Sequence, residues 1–410
     1  MKPYATMLSI KMKEQYMQRD EAATLMTNAL NGFHGRFKRM YGQLCVRVDE
    51  NTFLSTGGNK ILSEIDEDSY ELCDINSGDL GEIFTKRSDI NAILFGCSTD
   101  TVAVSEKNDV VPVTLEDLAR LTGSELKVIP DASTANILAA IRDSSVCLIK
   151  GTGVIAVGTN CRKAVAGAQI VEKACEAEIH GELLGGTVPI EKALADELRK
   201  DFLLDYVKRN ETPNADYVTY DEEEFAIRGS IIDRGKDLVK RDLSYGSWGN
   251  LSVRLNDDEM LITPSSMDYF DIKIEDIVKV NIHTLEYGNQ RMPSTEVRMH
   301  AAAYRNLPDC KAIIQTRSNA ISVFAACKAG FALGGGELQE LIGDVKVTDY
   351  ALPGTDELSS AVVSTFSDTH ACIIPHHGAV FYGPSLDVVL AVAEAVEMKA
   401  RNLLSFDSGL

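Results

Sequence analysis

Hydrophobic and polar positions in the second half of the chain predict strands and helices in alternation. Apolar and polar residues alternate in LSVRL and EMLIT, which is typical of two half-buried strands in a hairpin. The apolar runs in KAIIQT and CIIPHHGAVFYG indicate buried strands, the second folded back on itself. Helical spacing predicts helices from about Asp221 to Leu243, Ser294 to Asn306 and about Ser385 to Leu404, with another over SNAISVFAACKAG. We therefore expect an α/β fold of three layers, with helices on both faces of a mostly antiparallel central sheet.

The first half of the chain repeats this pattern. YGQLCVR at Tyr41–Arg47 matches WGNLSVR at Trp248–Arg254 at an offset of 207 residues. NAILFGCS matches KAIIQTRS, and LIKGTGVIAVG shares its frame with IIPHHGAVFYG. An opening helix is predicted from Asp20 to about Met40. Such collinear blocks predict a tandem duplication, with two copies of about 180 to 190 residues.

The length of the chain also favours two domains. At 410 residues it exceeds what one hydrophobic core usually serves. We predict a first domain over residues 1–185, a linker and connecting helix over 186–224, and a second domain over 225–410. The middle segment combines the helical pattern ALADELRKDFLLDYVKRN with the polar run ETPNADYVTYDEEE, as expected of a helix followed by a linker.

Composition and charge exclude several classes of protein. The chain has 45% hydrophobic and 25% charged residues, as ordinary soluble proteins do, and no apolar run approaches the length of a membrane span. Its charged N-terminus does not resemble a secretory signal, and its nine scattered cysteines favour a reducing compartment, so we expect a cytoplasmic protein. The net charge of −20 argues against nucleic acid and anionic membranes as partners.

Three polar loops in the second half could hold a small anion. They contain small residues with backbone N–H, hydroxyl or amide groups: Gly249, Asn250, Ser252, Thr263, Ser265, Ser266, Ser294 and Thr295. Such groups donate hydrogen bonds to an anion, and Ser294 would also cap the following helix and expose its first amides. The alternative is that these loops are ordinary turns and caps.

Five consecutive motifs carry a resemblance to a known family. GNLSVR, LITPSS, PSTEVRMHAAAYRNLPDCKAIIQTRS, YALPGTDEL and IIPHHGAVFYG resemble those of the class II aldolase and adducin head family. Members of that family include the zinc-dependent L-fuculose-phosphate and L-rhamnulose-phosphate aldolases and L-ribulose-phosphate 4-epimerase. The resemblance covers about residues 225–405, and over about 20–180 only the skeleton of the motifs survives.

The resemblance implies roles for the polar residues. In the family, the three loops hold the substrate phosphate, and the glutamate that matches Glu296 is the acid/base carboxylate. Three histidines bind zinc, two in an H-x-H pair on the strand that matches KAIIQTRS and the third at the position of His377. The ligand implied for this chain is therefore a small phosphorylated or carboxylated, sugar-like molecule.

The metal ligands implied by the family are mostly absent. Gln315 and Arg317 replace the H-x-H pair, so His377 alone matches a zinc ligand. A catalytic zinc needs about three protein ligands, and the permanently charged Arg317 would repel a dication. His376 adjoins His377, but neighbours on an extended strand point to opposite faces, and His300 matches a packing position. We therefore expect no cofactor, with zinc or another divalent metal on rebuilt ligands as the alternative.

The first half keeps fewer of these groups. Its residues at the matching positions are Gln43 for Asn250, Glu82 for Glu296, Phe95 and Cys97 for the H-x-H pair, and Gly151 and Thr152 for the two histidines. We expect this copy to be a structural partner.

Two hypotheses remain for the second half. Arg317, His377 and Glu296 could form a metal-free anion site in which the guanidinium stabilises an oxyanion and Glu296 moves a proton. Alternatively, Arg317 and Glu296 form a buried salt bridge in an inactive site.

The predicted function is a non-catalytic small-anion-binding or assembly protein with degenerate zinc sites. The alternative is a lyase or isomerase that cleaves or epimerises a sugar phosphate, so whether the protein is an enzyme stays open. Because the family forms fourfold rings, two fused copies predict a homodimer or pseudo-tetrameric ring, or an assembly with another aldolase-like chain.

Overall fold

The computed structural model describes residues 17–33, 35–209, 220–288 and 291–404. The chain forms two compact units. The first comprises Met1–Val113, Leu118–Cys175 and Glu191–Arg199. The second comprises Thr114–Asp117, Glu176–Ile190 and Lys200–Leu410, so a four-residue segment from the first half of the sequence belongs to it. Most of the predicted linker ETPNADYVTYDEEE lies outside the described residues.

The first half of the sequence contains six helices and nine strands in the described ranges. The helices are α1 (Arg19–Leu30), α2 (Gly78–Lys86), α3 (Thr99–Lys107), α4 (Glu116–Thr122), α5 (Thr134–Ala140) and α6 (Cys161–His180). The strands are β1 (Tyr41–Arg47), β2 (Thr52–Ser55), β3 (Lys60–Ile61), β4 (Glu71–Asp74), β5 (Ala92–Cys97), β6 (Val110–Pro112), β7 (Glu125–Ile129), β8 (Val146–Ile149) and β9 (Gly153–Gly158). The sheet order is β4-β2-β1-β5-β9-β8-β7-β6, with β3 beside β1.

The rest of the described chain contains seven helices and seven strands. The helices are α7 (Lys192–Arg209), α8 (Glu222–Lys240), α9 (Val297–Asn306), α10 (Asn319–Ala326), α11 (Glu337–Ile342), α12 (Asp356–Phe366) and α13 (Leu386–Leu403). The strands are β10 (Asn250–Arg254), β11 (Glu259–Ile262), β12 (Val278–Asn281), β13 (Ala312–Thr316), β14 (Lys346–Val347), β15 (Ala371–Ile374) and β16 (Gly378–Gly383). The sheet order is β12-β11-β10-β13-β16-β15-β14.

The two sheets share strand order and register. The path β4-β2-β1-β5-β9-β8-β7 matches β12-β11-β10-β13-β16-β15-β14 strand for strand. Only the β7–β8 and β14–β15 pairs are parallel among the described strands. Gln43 pairs with Phe95 in the first sheet, and Asn250 pairs with Gln315 in the second. The predicted α/β fold with mostly antiparallel sheets is confirmed.

Alternation along the strands builds the core of the second unit. Met260 and Ile262 of β11 face the same core as Val278 and Val280 of β12, because side chains two residues apart share a face. Helices α9 and α12 pack together over this face, whereas α8, α10 and α13 pack on the other. Helix α13 begins where Ser385 Oγ accepts a hydrogen bond from Val388 N at 3.3 Å.

Two predicted helix starts or ends are wrong. Helix α1 ends at Leu30, well before Met40, because Asn31 and Gly32 are poor helix formers, and a 3-10 turn follows. Helix α9 begins at Val297, so Glu296 occupies the N-cap position instead of Ser294. Of the helices in the described part of the chain, none has both the length and the hydrophobicity needed to cross a membrane.

Candidate functional site

The two adjacent histidines lie in the turn between β15 and β16. His376 has φ +64°, so the two histidines are not part of an extended strand. The expectation that strand alternation turns their side chains to opposite faces is therefore wrong. Their side chains nevertheless separate. The His376 backbone N–H donates to Ala325 O at 2.9 Å, and its ring Nδ1 donates to Thr114 O at 2.9 Å. His376 therefore connects Thr114 and Ala325 within the second unit. Burial lowers the pKa of its ring.

His377 lies at the centre of a buried charged cluster. Its Nε2 is 2.9 Å from Arg317 Nη2 and 3.7 Å from Glu296 Oε1. Its Nδ1 is 2.6 Å from Glu116 Oε2. Arg317 Nη2 is also 3.4 Å from Nδ1, so the guanidinium lies against the ring. Because the Glu116 carboxylate only accepts, the ring proton is on Nδ1 and is donated to Glu116, which leaves Nε2 unprotonated beside Arg317. The three predicted catalytic residues thus meet, joined by a fourth.

Arg317 is held by its neighbours at the end of β13. Its backbone N–H donates to Leu243 O at 2.9 Å, and its side chain is only 4% exposed. The guanidinium carbon lies 5.4 Å from the ring centroid of Trp248, within cation–π range. Trp248 stacks on Phe202 at 6.1 Å, so aromatic rings cover one side of the charge.

A directed chain of hydrogen bonds leads from the core to this cluster. His300 Nδ1 is 2.6 Å from Ser252 Oγ, and its Nε2 is 2.6 Å from Asn250 Oδ1. Ser252 Oγ is also 2.7 Å from Tyr304 OH, and Asn250 Nδ2 donates to Gln315 Oε1 at 2.5 Å. Since Asn250 Oδ1 only accepts, His300 carries its proton on Nε2 and accepts from Ser252, which accepts from Tyr304. Burial lowers the pKa of His300 to about 3, which keeps the ring neutral.

This chain changes the interpretation of two predicted ligand-binding residues. The side chains of Asn250 and Ser252 are already bonded inside the protein and are 4% and 0% exposed. His300 is a hydrogen-bonded core residue rather than a packing position. The chain ends at Gln315, whose oxygen is occupied, so its remaining group is an N–H donor.

Three buried polar atoms near the cluster have no hydrogen-bond partner among the described residues. They are Glu296 Oε2, Gln315 Nε2 and Tyr269 OH. Burial, then the charge of Asp268, raises the pKa of Tyr269, whereas the charge of Arg317 lowers it. An unpaired buried polar atom costs about 1–3 kcal/mol. Buried polar atoms without a partner are typical of places that accept a ligand or water.

The other two predicted loops lie side by side. Pro264 and Pro293 form an isolated bridge between them, and Ser294 N donates to Thr263 O at 3.0 Å. Thr263 Oγ1 is used by the backbone, since it accepts from Leu251 N at 3.2 Å. Ser294 Oγ accepts from Glu296 N at 3.3 Å, which ties this loop to the acid.

The outer hydroxyls of these loops are more accessible. Ser265 and Thr295 are half-buried, and Ser266 is exposed with φ +59°. These three hydroxyls therefore lie closer to solvent than the cluster around His377. A ligand with its anionic group at the loops would reach inward toward Glu296.

Gly249 is required by the backbone. It has φ +78°, and a Cβ there would lie 2.7 Å from Gln315 O. Its counterpart in the first unit, Gly42, would place a Cβ only 1.9 Å from Phe95 O. Strand packing alone therefore accounts for both glycines.

The residues present do not fit a resident zinc. His377 Nε2, the atom that matches a metal ligand, lies 2.9 Å from Nη2 of the Arg317 guanidinium. Gln315 Oε1 is bonded to Asn250. A permanent cation thus lies beside the one matching ligand, and a dication there would be repelled.

Glu116 and Tyr269 were not identified from the sequence. Glu116 lies in VTLEDLAR of the first half, and nothing in that stretch points to a site in the second half. Tyr269 lies in the segment MDYFD, which follows the LITPSS motif. An aromatic residue there is explained by packing as readily as by a role in ligand binding.

The matching positions of the first unit lack this cluster. Phe95 and Cys97 are partly buried, and Gly151 and Thr152 are exposed. Gln43 Nε2 donates to Ser55 Oγ at 2.8 Å, so its amide is used locally.

Comparison with known proteins gives matches in both halves. The model of the family "Class II Aldolase and Adducin N-terminal domain" matches residues 22–179 and 230–404. A 5-methylthioribulose-1-phosphate/5-deoxyribulose-1-phosphate aldolase of Rhodospirillum rubrum is 32% identical over 183 residues, 43% of this chain and 79% of its own. The L-fuculose phosphate aldolase of Escherichia coli K12 is 30% identical over 43% of this chain and 81% of its own. A solved L-fuculose 1-phosphate aldolase has 31% identity and a TM-score of 0.42, covering 45% of this chain and 88% of its own.

Proposed function

Because the chain belongs to the class II aldolase and adducin N-terminal domain family, we propose that its second unit binds a small sugar-like anion without a resident metal. The proposal keeps the family's kind of ligand and changes the group that holds it. Arg317 supplies the positive charge, and the loops with Ser265, Ser266 and Thr295 receive the phosphate or carboxylate.

The observation that carries the proposal is the set of unpaired polar atoms beside Arg317. Gln315 Nε2 is a donor, Glu296 Oε2 is an acceptor, and the Tyr269 hydroxyl can be either. A polyol has hydroxyl groups that both donate and accept, so its groups suit donors and acceptors of this kind. A purely apolar ligand would leave these buried polar atoms without hydrogen bonds, so the free-energy cost of burying them would remain.

Charge restricts where the anionic group of such a ligand could bind, because the cluster holds one guanidinium and two carboxylates. Arg317, Glu116 and Glu296 are all at most 4% exposed, so an added anion needs the guanidinium and the loop amides. The carboxylates favour hydroxyl groups next to them, since ionised carboxylates only accept. A free inorganic anion would therefore bind more weakly than a sugar phosphate.

Calorimetric titration tests the proposal, with L-fuculose 1-phosphate and unphosphorylated L-fuculose as probes. We expect the phosphate ester to bind and R317A to weaken binding by about 10- to 100-fold, the value of one charge-assisted hydrogen bond. The control R254A removes a β10 arginine paired with Asp257 and should bind normally. Equal affinity of R317A and the native protein would refute the proposal.

A catalytic alternative is favoured by Glu296. Its unpaired, buried Oε2 beside His377 could take or return a proton during aldol cleavage or epimerisation. Incubation with L-fuculose 1-phosphate, followed by product analysis, separates the alternatives. Turnover that disappears in E296Q while ligand affinity persists would support a lyase or isomerase.

We also propose that the chain arose by tandem duplication, with domains over residues 1–185 and 225–410. The shared strand order and register support this proposal. Two such copies favour a homodimer or pseudo-tetrameric ring, which light scattering of the purified protein would measure.

A further inference from the structure

Glu116 comes from the half of the sequence that the duplication would assign to the other copy. It is the first residue of α4, and the segment Thr114–Asp117 belongs to the second unit. Its side chain is 0% exposed. A fully buried glutamate is unusual unless it is paired.

The backbone fixes Glu116 against the histidine turn. Glu116 N donates to His376 O at 2.9 Å, and the His376 ring returns a hydrogen bond to Thr114 O at 2.9 Å. These contacts do not involve the Glu116 side chain. A substitution of that side chain therefore leaves the anchor of the segment in place.

The carboxylate then acts on His377. Glu116 Oε2 lies 2.6 Å from His377 Nδ1, whereas Arg317 Nη2 lies 2.9 Å from Nε2 and 3.4 Å from Nδ1. A carboxylate accepts only, so it holds the proton on Nδ1 and leaves Nε2 unprotonated. Carboxylates fix metal-binding histidines in the same manner, and here the second partner is a guanidinium.

We infer that Glu116 is a positioning residue of the second unit's site, which sets the tautomer and orientation of His377. The first half of the sequence thus completes this site instead of serving only as a structural partner. The inference uses the proposed function only for the consequence that E116A weakens ligand binding. The tautomer itself is independent of any ligand.

Long-range proton–nitrogen NMR of the full chain, labelled with ¹⁵N-histidine, tests the inference. His377 is assigned by comparison with H377N. The native protein should show protonated Nδ1 and unprotonated Nε2 at His377, and E116A should lose this single tautomer. E116Q keeps an acceptor oxygen and should restore it.

Two further variants separate positioning from stability. E224A removes another buried carboxylate of the second unit, which pairs with Arg228 at 2.7 Å, and should lower stability without changing His377. E116D retracts the carboxylate by one methylene and should give mixed tautomers, which serves as the test should E116A fail to fold. An unchanged His377 signal in E116A, or in E116D where only that variant folds, overturns the inference.

The ligand measurement keeps this inference distinct from the proposed function. With L-fuculose 1-phosphate as the probe, loss of the tautomer together with weaker binding supports both. Loss of the tautomer in a protein that never binds the probe supports the role of Glu116 and counts against the proposed ligand class.

Discussion

In the first sheet, Gln43 donates to a serine on the neighbouring strand, whereas at the matching place in the second sheet Asn250 joins Gln315 to His300. The backbone around these side chains is equivalent. Gly153 and Gly378 begin the last strands, and a Cβ on either would lie 2.1 or 2.2 Å from a carbonyl oxygen of the adjacent strand. Strand packing requires a glycine at these positions in both units, whereas the polar side chains at matching positions differ.

At the histidine turn, too, the two units share the backbone conformation but differ in their side chains. Thr152 is exposed at the position where His377 is buried between a carboxylate and a guanidinium. Both hairpins keep the turn, so the turn needs neither histidine to form.

The largest effect should come from returning the metal ligands. In Q315H/R317H the guanidinium beside His377 Nε2 is gone and two imidazoles replace it, with Glu116 still orienting His377. We expect about one zinc per chain by mass spectrometry. The matched variant F95H/C97H in the first unit has no histidine at Thr152 and should stay free of zinc. Zinc retention in both variants, or in neither, would contradict the distinction between the units.

The glycines should instead respond alike in both units. G153A and G378A each force a Cβ against a carbonyl oxygen at φ +146° or +141°. We expect each to lower the free energy of unfolding by about 3 kcal/mol in urea denaturation. Gly335, with φ +94° and open space around it, is the control, and G335A should cost about 1 kcal/mol. A large loss in one hairpin only would mean that the two turns are not equivalent.

Much of the sheet could be predicted from the sequence because its outer strands alternate apolar and polar residues, whereas its central strands are continuous apolar runs that are buried throughout. The segments YGQLCVR and WGNLSVR pair with their neighbouring strands in the same register, as in the pairs Cys45–Ser55 and Ser252–Ile262. The sequence offset predicts this because register follows the hydrophobic pattern. The motifs assign Arg317, Glu296 and His377 to one site, and the three side chains do lie close together, but their roles stay predictions.

The rest of the site depends on contacts that no local pattern encodes. Glu116 reaches His377 across 261 residues of sequence. Asn250 and Ser252 were predicted to bind a ligand, but their side chains form hydrogen bonds to the ring of His300, about 50 residues later in the sequence. Ser294 lies two residues before the N-cap Glu296, and its Oγ accepts from Glu296 N instead of from an amide of the helix.

The hydrogen-bond chain of the second unit predicts an acid dependence. The pKa of His300 is about 3 in the folded protein because of burial, against 6.5 for an ordinary histidine, so below about pH 6.5 the unfolded state binds the extra proton. Stability is fully present above that pH and falls as the pH drops toward 3, by at most about 1.4 kcal/mol per pH unit.

Urea denaturation at about pH 7 and pH 5 measures this dependence. H300Q should lose about 1 to 2 kcal/mol less than the native protein over that interval. The control H283Q alters a half-exposed histidine and should keep the native slope. The same acid slope in H300Q and the native protein would show that His300 does not titrate as its burial implies.

The smallest effect separates Trp248 from its counterpart Tyr41. Trp248 contacts both Phe202 and the Arg317 guanidinium, whereas Tyr41 is 50% exposed. A cation–π contact with a buried arginine contributes about 1 to 2 kcal/mol, so W248A should lower the free energy of unfolding by that amount. Y41A should change it by less than about 0.5 kcal/mol. In a double-mutant cycle with R317M, the Trp248 loss should shrink because the charge is gone, while the Tyr41 loss should not change. Additive losses for W248A and R317M would mean that the ring only covers the guanidinium, and that the second unit differs from the first by its hydrogen bonds and ion pairs alone.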